Sequence, residues 1–257
     1  KTFNKGTINE KKALQGLELT LQSEDFVTII GGNGAGKSTM LNMIAGVYPI
    51  DEGKIILDGT DISRKPEYAR AKYLGRVFQD PMKGTAAGME IQENLALAYR
   101  RGKKRGLKWA IGKDEQVFYK EQLKALDLGL EDRMTSKVGL LSGGEVFDGL
   151  LHFRASLQKP QLLLLDEHTA ALDPKTAAKV LALTEKIIAE HHLTAMMVTH
   201  NMKDAIRLGN RLIMMHEGRI IYDVAGEEKK NLQVSDLLAK FEQASGGEFA
   251  NDRMMLA

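Results

Sequence analysis

The sequence predicts an α/β fold built on a mainly parallel sheet covered by helices on both faces, with a smaller antiparallel β part. Three observations predict it. Residues 31–38, Gly-Gly-Asn-Gly-Ala-Gly-Lys-Ser, match the phosphate-binding pattern G-x-x-x-x-G-K-[ST] in full. The runs at 26–30, 161–165 and 195–198 are apolar almost throughout, as strands buried on both faces are. Helical patterns separate these runs, which is the alternation that builds parallel sheets.

Each element can be justified in order. Residues 17–21, Leu-Glu-Leu-Thr-Leu, alternate as a half-buried strand does. The run 26–30 predicts a buried strand that feeds the glycine-rich loop, and 39–45 predicts the helix that follows it. Residues 54–57 predict a strand ended by Asp58-Gly59, a hairpin signal. Residues 76–79 predict a short strand broken by Asp80-Pro81. Helices are expected at 91–99, 114–126 and 143–158, so the block from about 90 to 140 reads as a helical lobe set into the α/β core. The basic run at 100–105 is expected as a solvated loop. Beyond it come a strand at 161–165, a long helix at 175–190, a buried strand at 195–198 and a short helix at 202–208. Strands at 211–215 and 219–222 flank Glu217-Gly218, a second hairpin signal. A last helix is expected at 236–243, with a loose tail after Gly246. There is no internal repeat.

Bulk properties narrow the function classes. The 257 residues are 43% hydrophobic and 27% charged, ordinary for a globular protein able to bury a sizeable core. The absence of cysteine excludes disulfides, thiolate nucleophiles and cysteine metal sites. A net charge of +2 argues neither for nor against nucleic acid. No apolar run approaches the roughly 20 residues that span a bilayer, so direct membrane insertion is not expected. No secretory leader is read at Lys1-Thr2-Phe3-Asn4-Lys5, and the missing initiator methionine leads us to expect a trimmed terminus.

The glycine-rich loop is a physical device. Its glycines let the chain wrap closely around a phosphate and aim successive N–H groups at it. The helix that follows adds the partial positive charge of its N-terminus. Lys37 is expected to reach the β- and γ-phosphates of a nucleoside triphosphate, and the Ser38 hydroxyl to ligate Mg²⁺. A second signal is Leu162-Leu163-Leu164-Leu165-Asp166-Glu167. A leucine strand delivers two carboxylates at its C-terminal end, where ligands bind in open α/β sheets. Asp166 is expected to hold Mg²⁺, and Glu167 to polarise the attacking water as general base.

Leu141-Ser142-Gly143-Gly144-Glu145 is the third signal. Together the three resemble the ATP-binding subunit of an ABC transporter, a P-loop NTPase of the ABC ATPase type. Residues 31–38 resemble its Walker A, 162–167 its Walker B and 141–145 its LSGGQ-type signature. Gln79 resembles the Q-loop glutamine, Ala171-Leu172-Asp173 the D-loop, His200 in Val198-Thr199-His200 the switch histidine, and Phe3 the adenine-stacking aromatic. Motif order and spacing agree over nearly the whole chain.

The resemblance implies a single ABC ATPase domain over 1–257, with a RecA-like core at about 1–88 and 159–257 and a helical subdomain at about 89–158. It implies a head-to-tail dimer sandwiching two ATP molecules. ATP would meet Phe3, Asn33, Gly34, Ala35, Gly36, Lys37, Ser38 and Thr39 of one copy, and Ser142, Gly143 and Gly144 of the other. Ser38, Gln79 and Asp166 would serve Mg²⁺. Glu167, His200 and Lys37 would carry catalysis, with His200 on the γ-phosphate and Gln79 reporting nucleotide state to the helical lobe. Transmembrane permease subunits would be the partners, received near residues 79–88, with the chain peripheral on the cytoplasmic face of the membrane. ABC ATPases acting on DNA or ribosomes carry coiled-coil insertions or two fused cassettes; this chain has neither, so no nucleic-acid partner is expected. The stretch 166–174 resembles an importer branch associated with amino-acid-type or uncharacterised substrates.

Two stretches depart from the family pattern. After Ser-Gly-Gly the chain reads Glu145-Val146-Phe147-Asp148-Gly149 instead of a polar, basic run. Gly149 costs roughly 1 kcal/mol against alanine inside a helix, and two carboxylates would approach a partner's phosphates. This leaves open an alternative: a nucleotide-binding or engineered interaction module of the same fold, impaired in dimerisation and turnover by residues 145–154. His168 stands where the family more often has proline, and a structural role is expected for it.

Overall fold

The computed structural model describes residues 1–100, 111–124, 129–142, 159–170 and 172–245. The chain forms two compact units, Lys1–Arg70 with Thr194–Ala257, and Ala71–Leu193.

In the first unit β3 (Phe26–Ile30) is buried along its whole length. It pairs in parallel with β8 (Ala195–Val198) on one side, Ile29 opposite Val198, and with β9 (Arg211–His216) on the other, Ile30 opposite Met214. Covered on both faces, these strands need no polar alternation, and their runs of Val, Ile and Met follow from that. β10 (Arg219–Ala225) returns antiparallel to β9. Glu217 and Gly218 make the turn with φ of +44° and +75°, the left-handed pair whose twist matches that of the strands. The same chemistry at Asp58-Gly59 joins β4 (Ile56–Leu57) to β5 (Thr60–Asp61). β1 (Thr2–Phe3) pairs with β2 (Lys11–Lys12), a ribbon too short to leave a periodic signal.

Helix α1 (Lys37–Ala45) leaves β3 through the glycine-rich loop and stops at Gly46, in the left-handed region. Short α2 (Glu67–Arg70) ends on Arg70, which is 2% exposed. Its guanidinium donates to the carbonyls of Met43 (2.7 Å) and Ile44 (2.9 Å) at the end of α1, and to Ser63 (2.9 Å) and Lys65 (2.7 Å). Buried Lys229 in α7 (Gly226–Lys230) does the same for α6 (Met202–Arg207), donating to the carbonyls of Ile206, Leu208 and Gly209. Each cation supplies donors where a helix runs out of them. Met202 and Ala205 of α6 and Leu237 and Phe241 of α8 (Val234–Ser245) close the core over Ile30, Leu212, Met214 and Val224.

In the second unit β6 (Leu74–Val77) pairs in parallel with β7 (Leu162–Asp166), Val77 opposite Leu165. Helix α3 (Ile91–Tyr99) starts on a capping box between Glu90 and Glu93. α3 and α4 (Lys113–Lys124) share a core of Ile91, Leu95, Ala96, Tyr119 and Leu123, closed by Leu130 and Val138. α5 (Pro174–Glu190) is capped by Asp173, whose carboxylate accepts from the N–H groups of Lys175 and Thr176.

Several expectations are corrected. Residues 17–21 keep alternating burial but form no ladder, and the Thr20 carbonyl accepts from the Arg211 side chain at 2.7 Å instead. The strand expected at 76–79 is shifted to Leu74–Val77. Its last partner is Leu165, and Asp80 then caps a 3₁₀ turn at Pro81–Gly84, leaving Gln79 outside the ladder. Arg100 is not a solvated cation: its guanidinium makes a forked bond to Glu115 at 2.6 and 2.8 Å. The rest of the basic run, the helix expected at 143–158 and the tail after Gly246 lie outside the described residues.

The Arg70 network gives a test of this packing. Arg70→Leu strips the donors from four carbonyls and is expected to cost about 2–4 kcal/mol in denaturant unfolding.

Candidate nucleotide-binding site

The phosphate loop is held by close backbone packing within the first unit. Gly36 has φ of +100°, and a Cβ there would stand 2.6 Å from the Ala13 carbonyl oxygen. Gly218, in the β9–β10 turn, approaches the same oxygen, and a Cβ there would stand 2.5 Å away. The Gly218 N–H donates to the Ala35 carbonyl at 3.0 Å, and the Gln15 N–H donates to the Gly218 carbonyl at 2.9 Å. The loop, the hairpin turn and the segment 13–15 therefore lock around one carbonyl, where only glycine fits at both contacts.

That lock presents the start of α1. The helix has no side-chain cap at Gly36 and no acidic residue in its first turn. Its first N–H groups and its dipole are thus not met by a capping side chain or a first-turn carboxylate, which leaves the helix start suited to an anion. Lys37 is 5% exposed, and its ammonium donates to the carbonyls of Gly31 (2.6 Å) and Gly32 (3.1 Å). Ala35 and Gly36 are buried, Thr39 is half-buried, and Asn33, Gly34 and Ser38 are exposed.

His200 follows β8 by two residues, and the Thr199 N–H extends the pairing by donating to Ile29 at 3.1 Å. Because β3 and β8 are parallel and in register, the loop and His200 leave the same end of the sheet. Phe3 stands on β1 with its ring edge-on to Tyr48, centroids 5.2 Å apart, and the Lys1 ammonium 5.6 Å from its centroid.

The second unit brings another group of candidates together. Gln79 and the Asp166-Glu167 pair leave the C-terminal ends of adjacent parallel strands. Asp166 Oδ2 lies 3.8 Å from Arg76 Nη2, and the Arg76 guanidinium lies 4.5 Å from the centroid of Phe78. Glu167 has φ of +48°, a left-handed conformation that costs a non-glycine residue about 1–2 kcal/mol and persists where the surroundings impose it. His168 points inward, 1% exposed, with Nε2 3.3 Å from Thr184 Oγ1. The Thr184 hydroxyl donates to the Val180 carbonyl at 2.8 Å, so its oxygen accepts from His168 Nε2–H. Burial pulls its pKa down to about 4. Ser142 is exposed after the turn at Val138–Leu140. Gly143, Gly144, Ala171 and the atypical stretch 145–154 lie outside the described residues.

Sequence reasoning found the loop and the Asp166-Glu167 strand end but missed the end of β6, the Arg76 contact and the Ala13 lock. The hairpin signal at Glu217-Gly218 was legible, yet nothing local to it points to a loop some 180 residues earlier.

Two outcomes follow from this geometry. Gly218→Ala is expected to weaken ATP binding about tenfold and lower stability by about 2 kcal/mol, by calorimetry and denaturant midpoint. Gly59→Ala, in a turn with open space around it, serves as control and leaves ATP affinity unchanged. His168 carries an acid-linked stability. An unfolded imidazole takes up its proton near 6.5, while the folded one resists it down to about 4. Stability from this residue is therefore complete above about pH 6.5, falls as pH drops to 4, and amounts to about 3 kcal/mol. Unfolding curves from pH 4 to 7 should lose that part of the slope in His168→Asn.

Comparison with known proteins places the chain in a family. Residues 14–170 match the ABC transporter family. The chain is 45% identical over 230 residues to the tyrosine transport ATP-binding protein of Clostridioides difficile, covering 90% of this chain and 91% of that one. It is 33% identical to a spermidine/putrescine import ATP-binding protein of Haemophilus ducreyi, over 90% of this chain but only 60% of that protein. Among solved structures, the ADP-bound form of an ABC transporter cassette superposes with a TM-score of 0.73 at 28% identity, covering 93% and 94% of the two chains. A dimeric cassette in a post-hydrolysis state with ADP and phosphate gives 0.71 at 29% identity, covering 88% and 95%. These matches do not favour the interaction-module alternative. The chain belongs to the ABC transporter family, as an ATP-binding subunit whose ATPase activity is coupled to transport.

Proposed function

We propose that this chain binds Mg-ATP and, as a head-to-tail dimer attached to permease subunits at the cytoplasmic face of a membrane, powers import of an amino-acid-type solute. The observation that carries the reading is the locked phosphate loop, with an uncapped helix start and a buried Lys37 laid over two loop carbonyls. A phosphate offers Lys37 a charged acceptor in place of neutral carbonyls, a stronger bond. The solute class rests on the relative named for tyrosine transport. Among the described residues no helix is long and apolar enough to cross a membrane, so attachment falls to the partner.

Within this reading the N–H groups of Asn33, Gly34, Ala35, Gly36, Ser38 and Thr39 cradle the phosphates, and Phe3 stacks on the adenine. Ser142, Gly143 and Gly144 meet the nucleotide of the second copy. Ser38 offers a hydroxyl, Gln79 an amide oxygen and Asp166 a carboxylate, the hard oxygen donors that Mg²⁺ takes. When bound, the ion offsets the charge that gathers on the β- and γ-oxygens. Glu167 accepts the proton of the attacking water, and His200 donates a hydrogen bond to the γ-phosphate. His168, buried and neutral, props the strand end and takes no part in proton transfer. The helical subdomain at about 89–158 carries the signature, and residues 79–88, at the edge of the core beside it, receive the permease.

Steady-state phosphate release and ATP binding test this directly. Glu167→Gln should lower kcat by about 10²–10⁴-fold while the Kd for ATP stays within about threefold. Lys37→Ala should weaken ATP binding. Equal hydrolysis by Glu167→Gln and the parent would overturn the assignment. Uptake of labelled tyrosine, but not spermidine, should fall in cells whose only copy carries Glu167→Gln.

A further inference from the structure

We propose that Arg76 is a positioning residue that sets the Mg²⁺ requirement of this ATPase by competing with the metal for Asp166. The inference rests on the reading of Asp166 as the carboxylate that serves Mg²⁺.

The β6–β7 register makes the contact structural rather than accidental. Arg76 stands opposite Leu164, and Asp166 follows Leu164 by two residues, on the same face of β7. Phe78 likewise follows Arg76 by two residues. The guanidinium is thus bracketed, 4.5 Å from the Phe78 centroid and with Nη2 3.8 Å from Asp166 Oδ2. Both charged side chains are largely sheltered, 11% and 15% exposed, so salt screens the pair less than it would on an open surface.

A sheltered cation beside a carboxylate does two things. It holds the carboxylate by charge, and it cancels part of the negative potential that draws a divalent ion. The aromatic face adds a restraint, because a guanidinium over a ring is held by the ring's quadrupole and by its own flat shape. Arg76 therefore stays close when a metal arrives, and Mg²⁺ binds against it. Without Arg76 the carboxylate would present more of its charge, and less metal would be needed.

The test uses the full chain with a non-hydrolysable ATP analogue and Mn²⁺ as probe, followed by the loss of the free Mn²⁺ EPR signal. Arg76→Met keeps the length and removes the charge, and should tighten Mn²⁺ about tenfold, the effect of one charge a few ångströms away. Arg76→Lys should stay within about threefold of the parent. Phe78→Leu leaves every charge in place and frees the guanidinium, so it should tighten Mn²⁺ by less than Arg76→Met; it carries the test if Arg76→Met fails to fold. Asp166→Asn separates the two readings. If Asp166→Asn weakens Mn²⁺ and Arg76→Met leaves it unchanged or weaker, the competition is overturned and the Asp166 assignment stands. If Asp166→Asn leaves Mn²⁺ binding unchanged, the assignment fails and the inference with it.

Discussion

The carbonyl of Ala13 is the point around which the nucleotide end of this protein is organised. Gly36 at the start of α1 and Gly218 in the β9–β10 turn both pack against it at distances that leave no room for a side chain. The loop between Ile30 and Lys37 is thereby packed against the hairpin turn and the segment 13–15. Binding energy from ATP need not be spent on ordering a floppy turn, because folding has already met that entropy. The cost falls elsewhere, in positions where a single methyl group is excluded.

Parallel register does the rest of the positioning. In the first unit the β3–β8 pair sends the loop and His200 out at one end. In the second, the β6–β7 pair sends Gln79 and the Asp166-Glu167 carboxylates out together. Both follow the general behaviour of α/β sheets, whose strands bring chemistry to their carboxyl ends. The chain also shelters cations. Arg70 and Lys229 complete helix ends through backbone carbonyls, whereas Arg76 faces the carboxylate of Asp166. His168 is the opposite device, a titratable ring kept neutral by burial so that its place beside the carboxylates adds no charge.

Much of this was legible in the sequence, for reasons that differ from element to element. β3 and β8 were read to the residue, because strands buried on both faces stand out as apolar runs. The two hairpins were legible from Asp58-Gly59 and Glu217-Gly218, because left-handed turns leave few residues to choose from. Residues 17–21 misled: alternation reports half-burial, and the segment is half-buried without a ladder. The end of β6 was misplaced because Phe78 and Gln79 look as strand-like as the residues that do pair. Arg100 looked like part of a basic loop because its partner Glu115 lies fifteen residues on, beyond any helical spacing. The Ala13 lock and the bracket around Arg76 were invisible for the same reason on a larger scale. Each joins residues that are distant in sequence, and neither partner is unusual by itself.

The central claim is that folding alone presets the phosphate loop. The most direct measurement is a crystal structure of the full chain with Mg²⁺ and a non-hydrolysable ATP analogue. The account predicts that the backbone of 31–38 superposes on the present one within about 1 Å. Gly36 and Gly218 would still meet Ala13, while the Lys37 ammonium leaves Gly31 and Gly32 for the β- and γ-phosphates. A loop that rebuilds its backbone around the nucleotide, or that breaks away from Ala13 to do so, would contradict it.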